Sequence, residues 1–269
     1  MKYKWKSGVR SRESGIDDRG SGNLDSVNFF IMKKYTLWFC AAPLLCGLAF
    51  AVAAENPYAG KFYASGDPKK AEFALTFDDG PGYITEELLK VLAAHGAKAT
   101  FFMVGAAVKT YPERAAKVAA AGHFICNHTQ SHLFWPKAGK SPDHEALLQK
   151  ELEAAGAAIE KAAGVRPTVL RMPNGYDKPW VRQVAGRLGY ALVNWTYGSD
   201  WTKLSEEKMT AQYLEAVKPG AILLLHDGGG KVKEKNLRIV EAILAEAAKK
   251  GLKPVRLDEL LSLTVPAGK

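Results

Sequence analysis

From Glu72 to Leu257 the chain alternates short β-prone runs with amphipathic helical stretches, and this order constrains the fold more than any other feature. The strand-like runs are Glu72–Phe77, Ala99–Val104, Phe124–Asn127, Pro167–Arg171, Tyr190–Trp195, Ala221–Leu225 and Lys253–Leu257. Between them lie helical stretches at Ile84–His95, Ala107–Ala121, Lys178–Leu188 and Asn236–Lys250. A longer one is opened by Ser141-Pro142-Asp143 and runs to Ala163, and another is opened by Ser205-Glu206-Glu207-Lys208 in the manner of a capping box. Strand, helix, strand at this spacing predicts parallel βαβ units, because a parallel partner is reached only through a long crossover. Phe73, Leu75 and Phe77 share one face of the first strand, and Leu88, Leu89, Val91 and Leu92 make the apolar side of the first helix. Gly122, Gly189 and Gly251 stand where helices should stop. No Gly-x-Gly-x-x-Gly turn follows a strand, so an α/β barrel of about seven parallel strands, closed or distorted, is favoured over a dinucleotide-binding sheet. In either architecture a functional site belongs at the C-terminal ends of the strands.

Ahead of the alternation lies a different kind of sequence. Residues 1–31 are largely polar and read as a disordered stretch or a mis-assigned start, since Met32-Lys33-Lys34 has the look of a true beginning. Residues 35–52 carry no charge and include Leu37, Trp38, Phe39, Leu44, Leu45, Leu48 and Phe50. With the small residues Ala51-Val52-Ala53-Ala54 behind them, segment 32–54 has the build of a secretory signal peptide. An uncleaved version would serve as a membrane anchor. The domain plan is a leader 1–31, a signal 32–54, a linker 55–71, one domain 72–262 and a tail 263–269. Export to the periplasm, the cell surface or the medium is expected.

The net charge of +9 changes meaning under this plan. Residues 1–53 hold 8 of the 37 basic and 4 of the 28 acidic groups, which assigns +4 to the leader and +5 to the rest. A mildly basic exported protein suits anionic cell-surface polymers rather than nucleic acid. Cys40 and Cys46 leave with the signal, so Cys126 has no intramolecular partner. About 215 residues remain, the size of one domain. A monomer is expected.

Unusual polar residues cluster at the strand ends. Thr76-Phe77-Asp78-Asp79-Gly80-Pro81-Gly82 follows the first strand. By composition it is a turn. Two adjacent carboxylates there nevertheless point in different directions, so one can face a metal and the other a substrate. Asn127-His128-Thr129-Gln130-Ser131-His132 follows the third strand. His128 and His132 fall on one face if the segment turns helically. With Asp79 they make two imidazoles and one carboxylate, the usual donor set of a catalytic zinc site. Arg171-Met172-Pro173-Asn174-Gly175-Tyr176, Gly198-Ser199-Asp200-Trp201 and Leu224-Leu225-His226-Asp227-Gly228 follow later strands. His226 taken alone reads equally as a core histidine.

These five segments resemble, in order and spacing, the five motifs of the polysaccharide deacetylase family, also called the NodB-homology domain or carbohydrate esterase family four. The resemblance covers about residues 72 to 260 and implies a distorted (β/α) barrel. It implies hydrolysis of N-acetyl groups on polysaccharides containing N-acetylglucosamine, such as peptidoglycan, chitin-like chains or exopolysaccharide. Asp79, His128 and His132 would bind a divalent metal, most simply zinc, with cobalt or nickel as alternatives. Asp78 would be the general base, with Arg171 keeping it ionised and oriented. His226 would be the general acid, with Asp200 raising its affinity for a proton. The Asn174 backbone N–H would face the oxyanion, Trp201 and Leu224 would line the acetyl pocket and groove, and Tyr176 would join them among the substrate-binding residues. The family usually carries Tyr or Phe where Asn174 stands, with Tyr176 two positions on. A backbone donor survives that change, whereas the groove beside it would differ. Two alternatives stay open: an O-acetyl esterase of the xylan type and a non-catalytic glycan-binding module. A glycosidase using Asp78 and Asp200 as paired acids would leave Asp79 and the two histidines without purpose.

Other residues invite over-reading. Cys126 is expected as a small buried strand residue. His95 and His123 sit beside glycines at helix ends, where capping or surface roles suffice, and His144 opens a charged helix as a solvated group. Trp135, Trp180 and Trp195 are candidates for stacking on sugars. Trp195, in a strand, is expected in the core, and Trp135, in the loop Leu133–Ser141, is the one to test for binding. Lys231, Lys233 and Lys235 read as a solvated loop or a weak contact to an anionic polymer.

Overall fold

The computed structural model describes residues 56–229 and 234–263. The leader 1–31, the signal-like segment 32–54 with Cys40 and Cys46, the loop lysines Lys231 and Lys233, and the tail beyond Leu263 lie outside the described residues. Among the described residues nine strands form one sheet. They are β1 (Phe62–Tyr63), β2 (Glu72–Gly80), β3 (Thr100–Met103), β4 (Phe124–Asn127), β5 (Val169–Leu170), β6 (Ala191–Val193), β7 (Tyr197–Gly198), β8 (Ile222–His226) and β9 (Lys253–Pro254). Between them run α1 (Thr85–Ala94), α2 (Gly105–Thr110), α3 (Pro112–Ala120), α4 (Trp135–Ala138) and α5 (His144–Ala163). The remaining helices are α6 (Pro179–Arg187), α7 (Glu206–Ala216), α8 (Lys235–Lys249) and α9 (Leu257–Leu260).

The sheet order is β1-β6-β5-β4-β3-β2-β8-β7, with β9 added on β2, and every pairing is parallel. Among the described residues no pairing joins β1 to β7, so this is a barrel that does not close. Residues 56–71, expected as a linker, are part of the packed unit. β1 pairs with β6, and the Asn56 amide donates to Gly189 O at 2.9 Å. Two residues are too short a run for periodicity to betray a strand.

Period two in the strands separates the core from the site. Phe73, Leu75 and Phe77 pack outward with Leu88 and Leu92 of α1 and with Ile239, Val240 and Ile243 of α8. Ala74, Phe102, Cys126 and Ile222 pack on the inner face, against Leu257 and Leu260 of α9. The same alternation turns Thr76 and Asp78 of β2, and Leu224 and His226 of β8, inward above that plug. Cys126 is fully buried, as expected, and burial pushes its thiol far up, which keeps it inert.

The single helix expected over Ala107–Ala121 is two helices. Pro112 lacks an N–H and crowds the preceding turn, so α2 ends before Tyr111 and α3 starts on the proline. The Ser205 cap is present, its Oγ accepting from the Lys208 N–H at 3.4 Å. His144 is half-buried rather than solvated, its ring edge-on to Trp180 at 4.4 Å.

His123 is buried, contrary to its expected capping or surface role, and its Nδ1 accepts the Ala99 N–H at 3.1 Å. Burial, then the charges of Lys98 and Arg256, hold its pKa down to about 4. Between pH 6.5 and 4 the unfolded chain therefore binds the extra proton, and stability falls with falling pH. At pH 5 this contribution is on the order of 1–2 kcal/mol. Urea titrations at pH 7 and 5 should reveal it, and His123→Asn, whose Oδ1 can take the place of Nδ1 as acceptor but cannot titrate, should narrow the gap. An unchanged gap would assign the acid sensitivity elsewhere.

Candidate active site

A cleft of about 640 Å³ opens at the C-terminal ends of the central strands. Its lining includes Asp78, Asp79, His128, His132, Asn174, Asp200, Trp201, Leu224 and His226. Motif residues separated by almost 150 positions thus meet on one surface. Tyr176 does not join them. Its ring packs toward Trp180 at 6.1 Å, with its hydroxyl against Gly139.

Asp78 and Asp79 diverge because the chain leaves the strand between them. Asp78 is still in ladder register opposite Phe102 and His226, whereas Asp79 has φ 67° at a bulge in the pairing with β3. Arg171, wholly buried, donates from Nη1 to Asp78 Oδ1 and to Thr76 Oγ1, each at 2.8 Å. Its Nη2 reaches Asn194 O at 3.1 Å, its Nε reaches Val193 O at 3.3 Å, and its Cζ lies 4.0 Å from the centroid of the Phe102 ring. A guanidinium held on so many sides can only orient Asp78.

Asp79 Oδ1 lies 3.4 Å from His128 Nε2 and 3.2 Å from His132 Nε2. The three ligand atoms lie within 4.8 Å of one another. Ligands about 2.0–2.1 Å from a tetrahedral zinc stand roughly 3.3 Å apart, so these spacings fit a shared cation. Asp79 Oδ1 is buried with no hydrogen-bond partner, an orphaned acceptor of the kind a cation satisfies. His128 donates from Nδ1 to Arg171 O at 2.7 Å, which leaves its Nε2 lone pair facing Asp79. Burial pushes the His132 pKa down and so favours the neutral, ligating imidazole. Burial alone would raise the Asp79 pKa, but its contacts with His128 and His132 outweigh it and hold the carboxyl low. The two histidines do not converge by a helical turn. They sit on a loop with φ of 66° at Thr129 and 49° at His132.

On the opposite wall Asp200 Oδ1 accepts from His226 Nδ1 at 2.9 Å, while Oδ2 accepts the His226 backbone N–H at 2.8 Å. Burial would lower the His226 pKa. The hydrogen bond and charge of Asp200 overcome it and raise the value to about 9. Two residues outside the motifs hold this pair. Asn236 donates to Asp200 Oδ2 at 2.7 Å, and the Tyr213 hydroxyl bonds Leu224 O at 2.6 Å and accepts the Ser199 N–H at 3.0 Å. Both lie on helices, where no local pattern marks them.

Asp227, in the last motif, is buried beside the site, and its Oδ2 accepts the Thr85 hydroxyl at 2.5 Å. Burial is the main force raising its pKa, to about 7. The next residue, Gly228, has no room for a side chain, because a Cβ there would meet Asp79 O at 2.1 Å.

Asn174 adopts φ 58°, a left-handed conformation that asparagine tolerates well. Turn bonds run from Gly175 N–H to Met172 O and from Tyr176 N–H to Pro173 O. Among the described residues no backbone acceptor takes the Asn174 N–H, and the residue lines the cleft. The tryptophan expectation is reversed. Trp135 is fully buried, whereas β6 ends at Val193 and Trp195 turns into the cleft, 6.2 Å from Trp201.

A triad suited to a cation, a carboxylate clamped by arginine and a carboxylate-held imidazole on one cleft define a hydrolytic site on a parallel α/β barrel. Comparison with known proteins places it further: the polysaccharide deacetylase family profile matches residues 65–193. A peptidoglycan-N-acetylglucosamine deacetylase of Bacillus cereus is 34% identical over 192 residues, spanning 70% of this chain and 87% of the relative. A chitooligosaccharide deacetylase of a Bradyrhizobium species is 35% identical over 157 residues, spanning 57% and 69%. Among solved structures, a peptidoglycan N-acetylglucosamine deacetylase bound to 4-naphthalen-1-yl-N-oxidanyl-benzamide superposes with TM-score 0.69 at 28% identity, covering 77% of this chain and 94% of that one. The chain belongs to the polysaccharide deacetylase family.

Proposed function

We propose that this protein is an exported, zinc-dependent deacetylase that removes N-acetyl groups from glycans containing N-acetylglucosamine. The observation that carries the reading is the meeting of Asp79, His128 and His132 with the Arg171–Asp78 and Asp200–His226 pairs on one cleft. The printed activities of the B. cereus and Bradyrhizobium relatives point to peptidoglycan or chitooligosaccharide as the substrate class. Export rests on the signal-like segment 32–54. Among the described residues no helix is long and apolar enough to cross a membrane.

Asp79, His128 and His132 would hold the zinc, which would supply Lewis-acid chemistry toward water and the amide carbonyl. Asp78 takes a proton from water at Oδ2, since Arg171 occupies Oδ1. The Asn174 N–H donates to the amide oxygen as negative charge develops there. Leu224, Trp201 and Trp195 give the acetyl methyl an apolar wall. His226 then delivers the Nε2 proton to the departing amine, its Nδ1 being held by Asp200. A departing amine needs that proton more than a departing alkoxide does, and a His226 pKa near 9 keeps it in place at neutral pH. This favours the N-deacetylase over the O-acetyl esterase.

The test is acetate release by the zinc-loaded protein from N-acetylglucosamine oligomers, peptidoglycan and acetylated xylan. Release from the first two at higher kcat/KM supports the reading. Faster release from xylan, or none from any, overturns it. His132→Ala should weaken zinc binding by about 10²-fold or more, because it removes one of three protein ligands. Unchanged zinc content by elemental analysis would take His132 out of the ligand set.

A further inference from the structure

The buried stripe of α5 reads Leu148, Glu151, Leu152, Ala155, Ala158 and Ile159, and Glu151 is its one charged member. Helical spacing calls for an apolar residue there. Glu151 is only 7% exposed, and among the described residues it has no ion-pair partner. A carboxylate buried without a cation is costly, and such violations of local rules concentrate where function requires them. Both its oxygens serve Ser131. Oε2 accepts the Ser131 backbone N–H at 2.7 Å, and Oε1 accepts the Ser131 hydroxyl at 2.8 Å.

Ser131 immediately precedes His132 in the loop that carries both histidines. The loop is pinned one residue at a time. The Thr129 N–H donates to Asn127 Oδ1 at 2.8 Å, and the Thr129 and Gln130 carbonyls accept from Gly105 and Ala106 at 3.0 and 2.9 Å. His128 is further fixed through its own Nδ1. Among the described residues the His132 ring is held only to its own backbone carbonyl rather than to a neighbouring element, and the residue holds φ at 49°. Its placement therefore depends on the residue before it.

We propose that Glu151 is a positioning residue for the metal site: its two-point grip on Ser131 holds the left-handed backbone that brings His132 Nε2 to Asp79. The inference rests on the reading of Asp79, His128 and His132 as metal ligands. Supporting groups of this kind change metal affinity by about 10- to 100-fold.

The experiment is zinc affinity of the full chain, measured by competition with a chromophoric chelator, for wild type, Glu151→Leu, Glu151→Gln, Ser131→Ala and the Glu151→Leu, Ser131→Ala double variant. Glu151→Leu suits the apolar stripe, removes both acceptors and should bind zinc about 10- to 100-fold more weakly. Glu151→Gln, whose amide can accept the Ser131 N–H and donate to its hydroxyl, should restore most of that affinity. Ser131→Ala keeps the N–H bond, lies at the surface and should weaken binding by a smaller factor. The double variant should be no weaker than Glu151→Leu alone, because both act through one contact. Circular dichroism and melting of the metal-free proteins show whether each variant folds. If Glu151→Leu does not fold, Ser131→Ala decides alone, and wild-type affinity in it overturns the proposal. Folded Glu151→Leu with wild-type affinity overturns the positioning role and leaves the metal reading intact. Wild type that binds no zinc overturns both.

Discussion

Asp78→Asn should bind zinc like the wild type and release acetate about 10²–10⁴ times more slowly, the usual range for loss of a general base. The substitution preserves volume, and the Asn oxygen can still accept from Arg171 Nη1, now at 2.8 Å from Asp78 Oδ1. What it loses is the capacity to take a proton. Asp78 lies outside the proposed ligand triad, with its Oδ2 3.7 Å from His128 Nε2 and its other oxygen occupied by Arg171. Metal content should therefore hold while kcat falls. Stability should also fall, because the buried Arg171 charge loses its counter-ion. Assays belong well below the variant's melting midpoint, with elemental analysis on the same sample. Loss of zinc together with activity would mean that Asp78 and Asp79 have exchanged roles.

The pairing of Asp78 with Arg171 marks how far the sequence could be read. Period two placed Phe73, Leu75 and Phe77 on one face of β2, and all three lie in the outer core. The same period puts Thr76 and Asp78 on the other face, where one guanidinium meets both. Strand-end residues were legible because their position along the chain is also their position in the fold. Side-chain direction after a strand ends was not legible. Trp195 and Tyr176 each lie just beyond a regular element, and their rings went opposite ways to expectation, into the cleft and away from it. The His128–His132 spacing suggested a helical turn, yet two left-handed residues bring the rings together instead. Asn236, Tyr213 and Glu151 were invisible, since their roles depend on which helix packs over which loop. Pro112, by contrast, could have divided α2 from α3 on sequence alone.

Asp200→Asn should move the basic limb of the activity profile to lower pH and cut kcat at pH 8 by about 10²-fold, if the imidazole pKa drops to roughly 6. In the proposed role as general acid His226 serves only while protonated, so activity should fail as pH rises through its pKa. Without a bound cation that value is about 9. A cation at the nearby triad lowers it in both proteins, so the direction of the difference is unaffected. In the variant the Asn oxygen can keep the His226 and Asn236 donors now held by Oδ2 at 2.8 and 2.7 Å. The Asn amide would then face Nδ1, which opposes protonation at the position Asp200 now stabilises. Stability should follow the same linkage in metal-free protein. The raised pKa contributes stability that is fully present below pH 6.5 and lost as pH rises through about 9, and Asp200→Asn should remove that loss. Acetate release from an N-acetylglucosamine oligomer between pH 6 and 10, with melting curves over the same range, measures both. A basic limb that stays where it is in Asp200→Asn would assign it to a group other than His226. A limb that moves down while kcat at low pH is preserved would identify the Asp200–His226 pair as the source of the leaving-group proton.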